Sequence, residues 1–183
     1  MTRAIYIVGE PGAGKTTTVQ TYLQQYDKQP AIRLHRQLWA EPLIHDDKLT
    51  GFHLGKTKDT FSGTDALGMA VNPDAITWLQ TAHLPPFIIG EGQRLANQHF
   101  ITQLNQRTQL TLIHLTANNA AQRRQTRGTN QNPTWIKAAI SRATNITNLA
   151  TQQGRHVTEL NTQHLTPQQA AENLQQIIGI INT

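Results

Sequence analysis

Eight consecutive residues carry the clearest chemistry in the chain: Gly9, Glu10, Pro11, Gly12, Ala13, Gly14, Lys15 and Thr16 satisfy G-x-x-x-x-G-K-[ST] at every fixed position. Glycines at these places let backbone N–H groups turn inward around phosphate oxygens, and the start of a helix adds its positive dipole end. Lys15 would then reach the β- and γ-phosphates of a nucleotide, and the Thr16 hydroxyl would ligate Mg²⁺. Thr17 continues the loop into the helix. An apolar stretch over residues 4–8 precedes the pattern and a helical stretch over 15–26 follows it, which is the setting the chemistry requires.

Other residues are candidates by position. Glu91 closes the apolar run Phe87, Ile88, Ile89, Gly90, where a strand-end carboxylate can hold Mg²⁺ or position an acceptor. Arg94, at the expected start of the next helix, can clamp an acceptor phosphate with two parallel hydrogen bonds. Asp59 and Asp65 share a polar loop, and either can take a proton from an acceptor hydroxyl; as a first-turn residue, Asp65 also complements a helix dipole. Arg123, Arg124 and Arg127 cluster on the helix after the fourth strand, where guanidinium groups can meet a transferring phosphoryl group, although surface arginines are commonly just solvated. Arg142 falls about 20° from Trp135 and about 40° from Ile146 on a helical wheel, at the edge of an apolar stripe, where it either snorkels or faces a cleft. The eight histidines show no metal-ligand spacing. Of the tryptophans, Trp78 and Trp135 lie in amphipathic helical segments and Trp39 in an expected loop, which leaves Trp39 available for stacking.

The elements that must position these residues follow from apolar period and breakers. Strands are expected over 4–8, 31–34, 87–89, 110–115 and 156–160, and helices over 15–26, 72–82, 94–106, from 118, from 133 and over 167–178. Asn132-Pro133 and Thr166-Pro167-Gln168-Gln169 are helix-start signals, the latter with capping-box spacing. The long helix from 133 carries Trp135, Ile136, Ala139, Ile140, Ala143, Ile146 and Ala150 on one stripe. Residues 39–67 read as irregular, with a short strand near 52–54. Strands alternating with helices imply an α/β fold with a mostly parallel sheet covered on both faces, and ligands at the carboxyl ends of the strands.

Composition narrows the classes further. A chain of 183 residues without cysteine has the length of one domain and excludes disulfide scaffolds and thiolate metal sites. Charged residues are only 15%, while Gln, Asn and Thr together number 58, so uncharged polar groups do most of the solvating. A net charge of +5 favours an anionic partner, nucleotide or nucleic acid. No run is long enough to span a bilayer, and the 4–8 stretch is too short for a signal-peptide core, so a cytoplasmic location with no membrane partner is expected.

On residues 9–17, on Glu91-Gly92-Gln93-Arg94 and on the arginines at 123–127, the chain resembles the P-loop kinases, above all the nucleoside monophosphate kinase-like group that includes thymidylate kinases. Phe61-Ser62-Gly63-Thr64-Asp65-Ala66-Leu67 and residues 91–97 look like small kinases of bacteriophages, some of which phosphorylate hydroxymethyluracil within DNA during base modification; for such a protein the location is the host cytoplasm. The resemblance implies one three-layer P-loop NTPase domain over 1–183, a five-stranded parallel sheet, Mg-ATP as donor, and an Arg-rich lid at about 123–134 whose arginines act with Lys15 on the γ-phosphoryl group. Thymidylate kinases usually carry adjacent Asp-Arg where this chain has Glu-Gly-Gln-Arg, and residues 39–64 do not align with them.

Three functions compete on this reading: a kinase acting on a nucleotide or nucleotide-like acceptor, a kinase acting on a modified base in DNA, and an NTP-hydrolysing switch or ATPase. No dedicated nucleic-acid-binding module is visible, and Thr116-Ala117-Asn118-Asn119 does not match the guanine-specifying Asn-Lys-x-Asp. The size leaves little room for the extra domain of a motor.

Overall fold

The computed structural model describes residues 1–58, 62–126, 128 and 131–180. Asp59 and Arg127 therefore lie outside the described residues. The elements follow in chain order as β1 (Arg3–Gly9), α1 (Lys15–Tyr22), β2 (Asp27–Lys28), β3 (Ile32–His35), β4 (Leu38–His45), β5 (Lys48–Leu54), β6 (Lys56–Thr57), β7 (Ser62–Gly63), α2 (Val71–Thr81), β8 (Phe87–Glu91), α3 (Gln98–Arg107), β9 (Gln109–Thr116), α4 (Ala120–Thr126), α5 (Pro133–Gln152), β10 (His156–Asn161) and α6 (Pro167–Ile180). Short 3₁₀ turns over Leu23–Gln25 and Thr64–Ala66 complete the list.

The chain is a mixed α/β fold with a mostly parallel central sheet. Hydrogen-bonded neighbours run β10-β9-β1-β8-β5-β4-β2, with β3 on β4, and β6 and β7 form a separate two-stranded ribbon. The sheet thus has eight strands where five were expected; β2, β3 and β4 are added through antiparallel pairing, whereas β5 and β8 pair in parallel. Contacts divide the chain into two compact units, one of residues 1–6 and 24–111, the other of residues 7–23 and 112–183.

In the first unit β8 is buried at every residue, as a strand covered on both faces must be, which is why its sequence reads as an unbroken apolar run ending in a buried carboxylate. Tyr6 packs edge-on against Phe100, and Phe52 lies against Trp78 of α2. α3 begins at Gln98, where the Asn97 side chain accepts the Phe100 amide, so Arg94 belongs to the turn after β8 and not to a helix start. α2 begins one residue earlier than expected, at Val71, which places Pro73 within its first turn.

The expected loop over 39–67 is mostly strand. β4 and β5 form a hairpin whose two-residue turn is Asp46-Asp47, both with positive φ (49° and 57°). Two features hid it: the turn lacks glycine, and β4 is buried on both faces yet contains Glu41 and Pro42, which destroys any alternation. Trp39 accordingly sits on a strand.

Glu41 is what makes the polar interior of this hairpin tolerable. Its Oε2 meets His53 Nδ1 at 2.9 Å and Lys28 Nζ at 3.3 Å, while its Oε1 accepts the Thr57 amide at 2.6 Å, tying β6 to the hairpin. Burial pushes the carboxyl upward, but the hydrogen bonds from His53 and Thr57 and the charges of His53 and Lys28 outweigh it and hold the group at about 2. A carboxyl depressed in the folded state stabilises the fold above the unfolded-state value of 4.5 and loses that contribution as pH falls through about 2. The shift corresponds to on the order of 3 kcal/mol. Urea midpoints measured from pH 5 to pH 2 should fall more steeply for the wild type than for Glu41→Gln; parallel curves would contradict this account.

In the second unit α1 packs on α6, and α5 and α6 cover β10. The α6 start forms the reciprocal cap its sequence suggests: Gln169 N–H donates to Thr166 Oγ1 at 3.2 Å and Thr166 N–H to Gln169 Oε1 at 2.9 Å. Asn132 caps α5 by accepting the Thr134 amide. The α5 stripe packs only in part. Ala139, Ala143, Ile146 and Ala150 are buried, but Trp135 and Ile140 remain 40% and 39% exposed. Period alone gives direction; it does not give the length of the neighbour that covers a helix. Among the described residues no helix is long and apolar enough to cross a membrane.

Candidate active site

The second unit builds the phosphate loop. The backbone leaves the buried end of β1 at Gly9 and enters α1 through Gly14, with positive φ at Gly12 (90°) and Gly14 (93°). A side chain at Gly12 would also crowd the Ala120 carbonyl, so α4 can approach the loop only because that residue is glycine. Lys15 is 8% exposed and donates from Nζ to the carbonyls of Gly9 and Glu10, both at 2.9 Å. The ammonium is thereby held over the loop by its own backbone. Thr16 is half-buried and the Thr17 side chain is exposed, both in the first turn of α1.

Two arginines of α4 brace this loop. Arg124 Nη1 donates to the Pro11 carbonyl and meets Glu10 Oε2 at 3.3 Å. Arg123 donates to the Thr162 carbonyl at 2.7 Å and to Thr162 Oγ1 at 3.2 Å, and Thr162 Oγ1 in turn donates to the Ala13 carbonyl at 2.7 Å. Arg123 and Arg124, expected over the transferring phosphoryl group, make their contacts in this fold with Thr162, Glu10 and Pro11. Arg142 is exposed on α5. His114 of β9 has its imidazole lowered by burial and by Lys15, against the opposing charges of Glu159 and Glu10, so it stays neutral near the Lys15 charge.

The first unit builds a second constellation, around the turn that follows β8. Three consecutive residues are each held by a different side chain: Thr64 Oγ1 donates to the Glu91 carbonyl at 2.7 Å, Tyr6 OH to the Gly92 carbonyl at 3.1 Å, and Gln93 N–H to Asp65 Oδ1 at 2.6 Å. Burial keeps the Tyr6 phenol protonated, its pKa raised well above the ordinary 10, a hydrogen bond with Thr64 opposing and the Asp65 and Glu91 charges adding to the rise. The Glu91 carboxylate is fully buried against Gly63, whose φ is 64°; any Cβ there would overlap Glu91 Oε1. Arg94 Nε reaches the Leu67 carbonyl at 3.4 Å. Glu91 and Arg94 therefore flank one turn, and Asp65, from the 3₁₀ turn Thr64–Ala66, holds it at Gln93. Gly63, Thr64 and Gln93 lay inside the segments that carry the resemblance and Tyr6 inside an apolar strand, but none was assigned a role, because that role is to hold a turn that exists only after folding. Asp59 and Arg127 fall outside the described residues, as stated above.

Trp39 is not an open stacking platform. Lys56 Nζ lies 3.5 Å and Arg33 Cζ 4.8 Å from its ring centroid. Among the described residues no group of three or more His, Asp or Glu could hold a metal ion. The donor types at Thr16 and Glu91, a hydroxyl and a carboxylate oxygen, are those of a hard divalent cation such as Mg²⁺.

A mostly parallel α/β sheet whose first strand feeds a glycine-rich loop and an inward lysine defines a P-loop protein. The chain belongs to the P-loop Nucleotide Kinase3 family, whose profile matches residues 1–179. It is a nucleotide-binding kinase. Among solved structures, one that resembles it is an unliganded sugar kinase from Janibacter sp. HTCC2649, with 14% identity, a TM-score of 0.44, and coverage of 98% of this chain and 96% of that one. Comparison with curated proteins gives no match.

Proposed function

We infer that this kinase transfers the γ-phosphate of Mg-bound ATP to a hydroxyl of a nucleotide or nucleotide-like acceptor. The observation that carries the reading is the turn at residues 91–93, fixed at three successive backbone groups, which sets Asp65 in a fixed arrangement at the carboxyl end of the buried strand that ends in Glu91. Asp65 uses Oδ1 to hold Gln93, and no hydrogen bond to its Oδ2 is made among the described residues, which leaves that oxygen to orient an acceptor hydroxyl and take its proton. Arg94, at the same turn, suits an anionic part of the acceptor. On the donor side, Lys15 would exchange its two carbonyl partners for phosphate oxygens, and the loop amides would follow the charge as it moves to the leaving diphosphate. When bound, Mg²⁺ would neutralise phosphate charge; Thr16 in the second unit and, separately, Glu91 in the first each carry an oxygen of the type that holds such a cation.

A second reading, phosphorylation of hydroxymethyluracil in DNA, draws on the net charge of +5 and on the cations placed around Trp39. Both readings are tested by incubating the protein with Mg²⁺ and γ-labelled ATP against nucleoside monophosphates, neutral hydroxyl compounds, and DNA with and without hydroxymethyluracil. Label on one acceptor supports the corresponding reading. Release of free phosphate with no labelled acceptor in the panel would count against both, in favour of an NTP-hydrolysing switch.

Arg124 gives an independent check on the donor side. It joins α4 to the loop at Glu10 and Pro11, so Arg124→Ala should weaken ATP binding about tenfold by loosening the loop, the loss of one charge-assisted contact. Titration with a fluorescent ATP analogue reads this directly; an unchanged Kd would make the contact incidental.

A further inference from the structure

The antiparallel extension carries a group of charges that belongs neither to the phosphate loop nor to the turn after β8. Arg33 on β3 stands opposite Trp39 on β4 in the strand register, and Gly55 N–H donates to the Trp39 carbonyl at 2.8 Å, which brings Lys56 to the same ring. The guanidinium lies 4.8 Å and the ammonium 3.5 Å from the ring centroid. Lys58 follows two residues later and is exposed. Among the described residues no carboxylate pairs with any of these three cations. Lys56 is held below its ordinary value, first by burial and then by the Lys58 and Arg33 charges, so the cations do feel one another. Like charges concentrated on one ring are unfavourable to the empty fold, and an arriving anion relieves the repulsion.

The group is also tied to the acceptor side of the kinase. Lys56 is the register partner of Gly63 in the β6–β7 ribbon, and Gly63 is the residue packed against the Glu91 carboxylate. We propose that Arg33 and Lys56 on Trp39, together with the neighbouring Lys58, bind a phosphate group of the acceptor while its hydroxyl lies at Asp65. The proposal rests on the kinase reading for its orientation but not for its binding test. It selects acceptors that already carry phosphate, either a mononucleotide or the backbone of a polynucleotide, over neutral sugars and nucleosides. A phosphate monoester brings roughly two negative charges and a polynucleotide brings one per residue, so both sources suit three clustered cations.

The test uses the full chain without ATP, so that it does not depend on turnover. Binding of thymidine 5′-monophosphate, of thymidine, and of a fluorescein-labelled twelve-residue single-stranded oligodeoxynucleotide is measured by calorimetry or anisotropy at two salt concentrations. The expected result is that a phosphate-bearing probe binds at least about tenfold more tightly than thymidine, that its affinity falls with salt, and that Lys56→Glu and Lys58→Glu each weaken it about tenfold or more while Lys56→Arg restores it. Tight binding of the mononucleotide points to a free nucleotide acceptor, and binding of the oligonucleotide alone points to the polynucleotide. Lys58 is exposed, so its variant keeps the test informative if Lys56→Glu fails to fold, which circular dichroism reports. Equal affinity for thymidine and its phosphate, no binding of any probe, or unchanged affinity in folded Lys56→Glu and Lys58→Glu would overturn the proposal. Failure of the kinase reading has a different signature: phosphate-dependent binding would persist with no label transferred in the assay above.

Discussion

Replacing Lys15 by alanine is expected to lower phosphoryl transfer at saturating ATP by about a thousandfold or more, with a much smaller change in ATP affinity. The asymmetry comes from where the charge acts. In this fold the ammonium is nearly buried and is already held by two backbone carbonyls at 2.9 Å, so its position over the loop is set before any phosphate arrives. Those carbonyls are neutral, and they compete only modestly for the ammonium against phosphate oxygens whose charge is moving toward the leaving group. The interaction is therefore strongest in the transition state, and its loss appears in kcat. Lys15→Arg should not rescue, because a planar fork does not fit a position defined by two carbonyls of one tight loop. Initial rates of label transfer, with ATP binding measured separately, check the prediction. A variant with near-normal turnover would show that the loop does not hold the transferred phosphate.

The second large effect is expected at Glu91. Glu91→Gln preserves shape and removes one charge at a fully buried position, and turnover should fall about a hundredfold or more with the thermal midpoint little changed or raised. If the carboxylate acts by binding Mg²⁺, the variant will also need a higher Mg²⁺ concentration for half-maximal rate. If it acts on the acceptor alone, the Mg²⁺ dependence will stay as in the wild type. Gly63→Ala reaches the same group from the other side, since a Cβ there would overlap Glu91 Oε1 and push the carboxylate away. That substitution also places alanine at φ 64° and ψ −144°, a region essentially reserved for glycine that costs about 1–3 kcal/mol, so the midpoint should fall as well and activity is compared at a temperature where the variant stays folded. Near-normal kinetics in Glu91→Gln would reduce Glu91 to a strand-end acid.

Much of the parallel framework was legible because most of its strands are short apolar runs flanked by breakers, and two of its helices begin with a local capping signal. Asn132 before α5 and the Thr166–Gln169 pair before α6 form the caps their spacing implies. The phosphate loop was legible for a related reason, since glycine, lysine and threonine act there through backbone and side chains only a few residues apart. Residues 39–67 were opaque because their hairpin uses an Asp-Asp turn and a strand whose buried centre is a carboxylate, satisfied by partners at positions 28, 53 and 57 that no local pattern connects. Trp39 was misplaced with them, and Arg94 was misplaced because Asn97, a better cap, starts α3 later.

What the sequence determined by itself is thus the class of fold, the loop that binds phosphate, and the presence of a strand-end carboxylate at Glu91. All three depend on interactions between residues close in the chain. The tertiary structure decided how the turn after β8 is held, which cations gather around Trp39, and that the arginines of α4 brace the loop while Arg142 is exposed on α5. Those depend on contacts across tens of residues, such as Thr64 on Glu91, Asp65 on Gln93 and Arg124 on Glu10. Such contacts become favourable only when the sheet has brought their backbones within hydrogen-bond reach, and a one-dimensional pattern holds no record of that approach.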